Sequence, residues 1–113
     1  MLPKRNRLKK EKDFERVFKK GKGLEEGFLF IKVAKNDLEM SRFGFVVSEK
    51  VSKKATLRNK VKRKLRELTR ARLSRIKIGL DVALVARPGI EQKNSQEIGN
   101  MMDRLFKKTG IYN

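Results

Sequence analysis

RFGFVVSEKVSKKATLRNKVKRKLRELTRARLSRIKIGLDVALVAR, Arg42 to Arg87, is the stretch that decides the fold. It opens on a short apolar run, RFGFVVS (Arg42 to Ser48), and closes on another, DVALVAR (Asp81 to Arg87), which Pro88 and Gly89 stop. Both have the length and composition of strands. Between them, Leu57, Val61, Leu65, Leu68 and Ile76 fall on one stripe at about 100° per residue, which predicts a helix from roughly Leu57 to Ile76. Gly79 closes that segment. Strand, long helix, strand predicts a crossover that joins parallel strands.

Working outward, FLFIKVA (Phe28 to Ala34) is a further strand, and the polar NDLEMS (Asn36 to Ser41) turns the chain. The runs at 28–34 and 42–48 are therefore expected to pair as an antiparallel hairpin. In EKDFERVFKK (11–20), Phe14, Val17 and Phe18 form one helical face, and Lys19, Lys20 and Gly21 are C-terminal signals. A last helix starts near Asn94, where Asn94 and Glu97 have capping-box spacing. Its apolar face is Ile98, Met101, Met102, Leu105 and Phe106, and Lys107, Lys108 and Gly110 end it. Gly99 weakens it slightly. The order α-β-β-α-β-α, with three strands, predicts a small α+β sandwich. Its 113 residues suit one domain, 1–113, with an extended or loosely held basic arm over about residues 1–10.

Composition narrows the function. The formal net charge is +18, with a pI near 10.7, so a strongly anionic partner is expected. Nucleic acid is the first candidate and an anionic membrane surface the second. Cysteine is absent, which excludes thiol nucleophiles and zinc–thiolate sites. Histidine is absent too, and with it the usual general acid/base near neutral pH and the commonest metal ligand. No apolar run approaches the roughly eighteen residues of a membrane span, and MLPKRNRLKK lacks a signal-peptide core, so the expected location is the cytoplasm.

The helix stripe divides the basic segment. Leu57, Val61 and Leu65 anchor it, while Arg58, Asn59, Lys62, Arg63, Arg66 and Arg70 lie opposite and Lys60 and Lys64 flank the other side. Arg72 projects near the apolar stripe, so it snorkels outward or the helix frays before it. Solvated helices alternate charge signs. Here, from Lys50 to Lys77, thirteen Lys/Arg meet one acid, Glu67. Phosphate contact explains that purity better than solvation, because Arg offers phosphate a planar fork. Membrane binding would need bulky apolar groups on the same exposed face.

RNKVKRKLRE, Arg58 to Glu67, resembles the signature of the bacterial ribonuclease P protein family. KRNRLKK (Lys4 to Lys10), DFERVFKKG (Asp13 to Gly21) and RFGFVVSEKV (Arg42 to Val51) resemble the family's flanking blocks in the same order. The likeness covers nearly the whole chain. It implies a fold related to a ribosomal protein domain, S5 domain 2-like, with a left-handed β-α-β crossover, a hand that strand-crossover rules would not propose. It implies the protein subunit of a ribonucleoprotein endoribonuclease that removes the 5′ leader of precursor tRNA, with the catalytic centre in RNA. By the resemblance, Arg58, Asn59, Lys60, Lys62, Arg63 and Arg66 face the catalytic RNA, and Phe14 and Phe18 line a cleft for the single-stranded leader. It implies Mg2+ held mainly by RNA, ribonuclease P RNA and precursor tRNA as partners, and no membrane or protein oligomer.

Stacking on aromatic faces inside a basic groove is how single strands are held. Phe28 and Phe30 are further local aromatics, with burial in the core as their competing role. Ile31 is expected where the family cleft carries an aromatic further along that strand. The thirteen acids include no DxD or DxxxD pair, and Glu25-Glu26, the one adjacent pair, is expected in a loop. A structural ribosomal RNA-binding protein or assembly factor is the main alternative. A protein-only nuclease is a third reading, disfavoured by the absent histidine and sparse acids.

Overall fold

DVALVAR is the most continuous apolar run in the chain, and it takes the centre of the sheet. The computed structural model describes residues 2–113. Its elements are α1 (Glu11–Lys20), β1 (Lys22–Glu26), β2 (Leu29–Lys35), β3 (Arg42–Val46), α2 (Ala55–Arg70), β4 (Leu80–Ala86) and α3 (Ser95–Thr109). The sheet order is β1-β2-β4-β3. In β4 Val82, Ala83 and Leu84 are fully buried, as suits a strand covered on both faces. β3 and β4 are parallel, as the crossover reading predicts, and α2 joins them.

The expected hairpin between 28–34 and 42–48 does not form. β4 inserts between those runs, antiparallel to β2. The hairpin partner of β2 is instead β1, KGLEE, with Glu26 opposite Leu29. The sandwich therefore has four strands rather than three, and Glu25 and Glu26 lie in a strand, not a loop. β1 escapes sequence reading because Gly, Lys and Glu are poor strand formers, and its burial pattern is almost wholly exposed.

One face of the sheet carries the larger core, where Leu29, Ile31, Phe43, Val82 and Leu84 meet Val61 and Leu65 of α2 and Ile98, Met102, Leu105 and Phe106 of α3. The other face carries a smaller cluster of Leu8, Val17 and Ala83 with Phe14 and Ala34, under α1. The basic arm is not loose. Leu2 and Leu8 are buried, Leu8 N–H donates to the Phe43 carbonyl at 2.8 Å, and Arg7 bridges to Phe43, so the arm runs along the outer edge of β3.

α2 ends six residues earlier than expected. Its last residue is Arg70, and Ile76, although buried, sits in a bridge to Tyr112 rather than on the helix. Leu57, expected to anchor the first turn, is 37% exposed. Of the two expectations for Arg72, the helix does end before it, at Arg70, and the side chain does not snorkel outward. It turns inward and donates to Asp103 (Nε to Oδ1, 2.8 Å) and the Leu68 carbonyl (2.8 Å). A Cβ on Gly99 would stand 2.8 Å from the Arg72 guanidinium, so this glycine makes room for a tie between α2 and α3. The Asn94–Glu97 capping box is present in full. Gly21 ends α1 in extended backbone (φ −77°), not left-handed.

Two carboxylates hold the layers. Asp81 is fully buried and accepts from Arg42 (Nε at 2.8 Å, Nη2 at 2.7 Å), Asn36 (2.8 Å) and Arg16 of α1. Burial pushes its carboxyl up, yet Arg42, Asn36 and Arg16 hold it below the ordinary value. The hydrogen bond from Arg72, aided by Tyr112, likewise holds Asp103 low against its desolvation. Burial and the contact with Asp103 push Tyr112 up to about 12.

The signs follow. Depressed carboxyls contribute stability that is complete above the unfolded value near ~4 and is lost as pH falls through the folded values. The raised tyrosine contributes below about pH 10 and is lost as pH rises toward its folded value. A melting temperature level between about pH 5 and 9 and falling on both sides is expected from calorimetry. A flat acid limb would mean that neither carboxylate is held as described.

Candidate nucleic-acid interface

The outer face of α2 carries a row of basic and polar side chains, and Arg70 at its end pairs with Glu67 (4.0 Å). Asn59, Lys60 and Arg63 are exposed, and Lys62 and Arg66 are half-buried at the flanks of the Val61–Leu65 seam. The side chains of these five residues make no hydrogen bond or ion pair among the described residues. Repulsion along such a row is a few tenths of a kcal/mol per pair, and the buried seam tolerates it. Arg58 differs from its neighbours. Its guanidinium donates to the carbonyls of Ser52 (2.9 Å) and Lys53 (3.0 Å), so it pins the loop that enters α2.

On the α1 face, register aligns the strands in three rows. Ala34, Asp81 and Arg42 form the first, Lys32, Ala83 and Gly44 the second, and Phe30, Val85 and Val46 the third. α1 covers the first two rows. Arg16 reaches Asp81, Val17 packs on Ala83, and the Phe14 ring lies over Gly44, where a Cβ would come within 2.2 Å of it. The third row stays half-buried. Phe18 is 38% exposed.

Phe14 and Phe18 thus divide. Phe14 belongs to the small core and lines a pocket of about 260 Å³ together with Arg7, Gly44 and Arg66. That pocket brings α1 and α2 side chains to one place. Phe18 offers more free ring.

The place expected for Ile31 is corrected. Ile31 is fully buried on the opposite face, in the larger core. Side chains alternate along a strand, so Phe30 and Lys32 are the residues that face α1. Lys32 itself was the available signal, because a lysine in an apolar run marks the less buried face. The Arg87 guanidinium stands 5.6 Å from the Phe30 ring centroid and 3.0 Å from Glu25. Phe28 packs against the larger core, with Lys93 5.1 Å from its ring centroid, and takes no part in the rows.

The ribonuclease P family model matches residues 2–110. A ribonuclease P protein component from Clostridium botulinum is 38% identical over 111 residues, covering 97% of this chain and 99% of that protein. A mutant Staphylococcus aureus RNase P protein with defective mRNA degradation activity superposes with a TM-score of 0.89 at 30% identity, over 96% of this chain and 92% of that one. The Thermotoga maritima RNase P protein superposes at 0.82, with 32% identity over 90% and 96% of the two chains.

Proposed function

The chain belongs to the ribonuclease P protein family, and from that membership we propose how its two surfaces divide the work. As a family member it is the protein component of an endoribonuclease ribonucleoprotein acting in tRNA processing. In our reading, Asn59, Lys60, Lys62, Arg63 and Arg66 grip the ribonuclease P RNA, and Arg58 orders the loop at the head of that surface. Phe18, the Phe30–Val85–Val46 row and Lys32 form the cleft for the single-stranded 5′ leader, with Phe14 as its packed wall. The observation that carries this is the set Lys60, Lys62, Arg63 and Arg66, without hydrogen-bond or ion-pair partners among the described residues, with Arg66 meeting Phe14 of α1 in one pocket beside β3.

Charge explains the gain for the holoenzyme. Two polyanions are brought together, and cations between them reduce the repulsion that Mg2+ would otherwise screen. Mg2+ and the hydrolytic step are assigned to the RNA. Among the described residues no three acidic side chains converge as metal ligands. None of the described helices is long and apolar enough to cross a membrane, and the proposed location is the cytoplasm.

The test is reconstitution with a bacterial ribonuclease P RNA and precursor tRNA at low magnesium. Added protein should restore cleavage and favour precursor over mature tRNA. Equal affinity for both would sink the leader assignment. Phe18→Ala is the sharper probe, because the ring contributes little to the core. It should weaken binding of leader-bearing substrate by about 1–3 kcal/mol and leave leaderless tRNA unchanged. Equal losses on the two substrates would remove Phe18 from the cleft.

A further inference from the structure

The sheet has a second groove, far from α2. α2 packs beside β3, at one end of the order β1-β2-β4-β3, and the groove lies at the other, where β1 begins and β2 ends. It holds about 860 Å³ between the C-terminal half of α1 and the last turn of α3, within the range of formed ligand sites. Its floor is aliphatic, built from Leu24, Val33 and Leu80 on the larger-core face, with Ala34 at the α1 border, and Leu24 is 42% exposed.

The charged side chains that line the groove are all basic. Two of its cations are committed, Arg16 to Asp81 and the Lys35 carbonyl, and Lys108 to Glu26 at 2.6 Å. The side chains of Lys20, Lys22 and Lys35 make no ion pair among the described residues. The occupant is therefore anionic with an apolar side. RNA fits this groove less well than it fits α2. No aromatic ring lines it for a base to stack on, and its uncommitted cations are all lysines, which lack the planar fork that phosphate favours.

We propose that this groove docks an acidic peptide segment of a protein partner, its aliphatic side chains on Leu24, Val33 and Leu80 and its carboxylates at Lys20, Lys22 and Lys35. The groove borders the proposed leader cleft at Gly23, beside Phe30 and Lys32, but Leu24 and Val33 of its floor lie on the Ile31 face of the sheet, away from that cleft, so the partner would ride on the assembled ribonucleoprotein.

The experiment uses the reconstituted holoenzyme and a fluorescein-labelled nonapeptide that alternates Glu with Leu or Val, read by anisotropy. A nonaglutamate and an oligouridylate of equal length are the controls. The alternating peptide should bind holoenzyme more tightly than nonaglutamate. Lys22→Glu with Leu24→Asp should weaken it on the order of tenfold or more, through lost burial and reversed charge, with precursor cleavage unchanged. Lys35→Glu, outside β1, repeats the test on a separate strand. Nonaglutamate binding as tightly as the alternating peptide would reduce the site to diffuse charge and overturn the proposal. So would unchanged peptide affinity in the variants, binding to free protein but not to holoenzyme, or loss of oligouridylate binding instead.

Discussion

Replacing Asp81 with Leu should unfold the protein's α1 side more than any other single change. The carboxylate is fully buried and accepts from Arg42, Asn36 and Arg16 at once. Leucine would leave two guanidinium groups and an amide facing an apolar side chain. Removing one partner of a buried charge network costs about 3–5 kcal/mol. Arg16 and Arg42 keep 31% and 22% of their side chains in solvent, so the lower end applies, about 3 kcal/mol. For a domain of this size that is roughly 10–15 °C in melting temperature, measured by calorimetry. Asp81→Asn keeps an acceptor in place and should lose less. The functional result is as specific: with Arg16 released from Asp81, α1 loses its ionic tie to the sheet, and the discrimination between leader-bearing and leaderless tRNA should fall further than affinity for the ribonuclease P RNA. A melting temperature within a degree or two of the parent would show that the network is not holding α1.

Arg63→Ala with Arg66→Ala should produce the largest loss of RNA affinity. Hydrogen bonds to charged groups contribute about 1.5–3 kcal/mol each, so the pair should cost about two orders of magnitude or more in affinity for ribonuclease P RNA. The slope of log K against log salt should become shallower by about 0.7–0.9 for each lost phosphate contact. Stability should change little, because neither guanidinium has a protein partner among the described residues. The single variants should separate the two roles. Arg63 is exposed, so its loss should act on RNA binding alone. Arg66 shares a pocket with Phe14 and should also affect leader-bearing substrate. Filter binding across a salt series would measure both. An unchanged slope would move the RNA interface off α2.

The helices were legible because their signals are local. Asn94 and Glu97 announce the start of α3, Val61 and Leu65 recur on one stripe, and the same stripe leaves Asn59, Lys60 and Arg63 outside. The excess of cations on α2 needs no tertiary information, since 3.6-residue periodicity alone puts them opposite the core. The ordered blocks from Lys4 to Glu67 carried the family, and with it the expectation of an RNA partner. The end of α2 was only partly legible. Ile76 continues the helical stripe in sequence and Arg72 interrupts it, which left a snorkelling side chain and an earlier helix end both open; Asp103 on another element decides it by taking the Arg72 guanidinium.

What the sequence by itself determined is the set of segments able to be helices, the polarity of each helix face and the identity of the charge-bearing surface. All of these follow from spacing within a dozen residues. The tertiary structure alone decided strand order, and with it the face of each strand residue in the cleft. Pairing 28–34 with 42–48 would be the shorter closure, but loop-closure entropy rises only slowly with length. Burying DVALVAR on both faces therefore outweighs the local hairpin, and β4 enters between β2 and β3. That insertion sets Phe30 beside Val85 and Val46 and sends Ile31 to the far core. A one-residue shift in facing separates a ring available to a base from one sealed in the interior, and only the partner strands fix that shift.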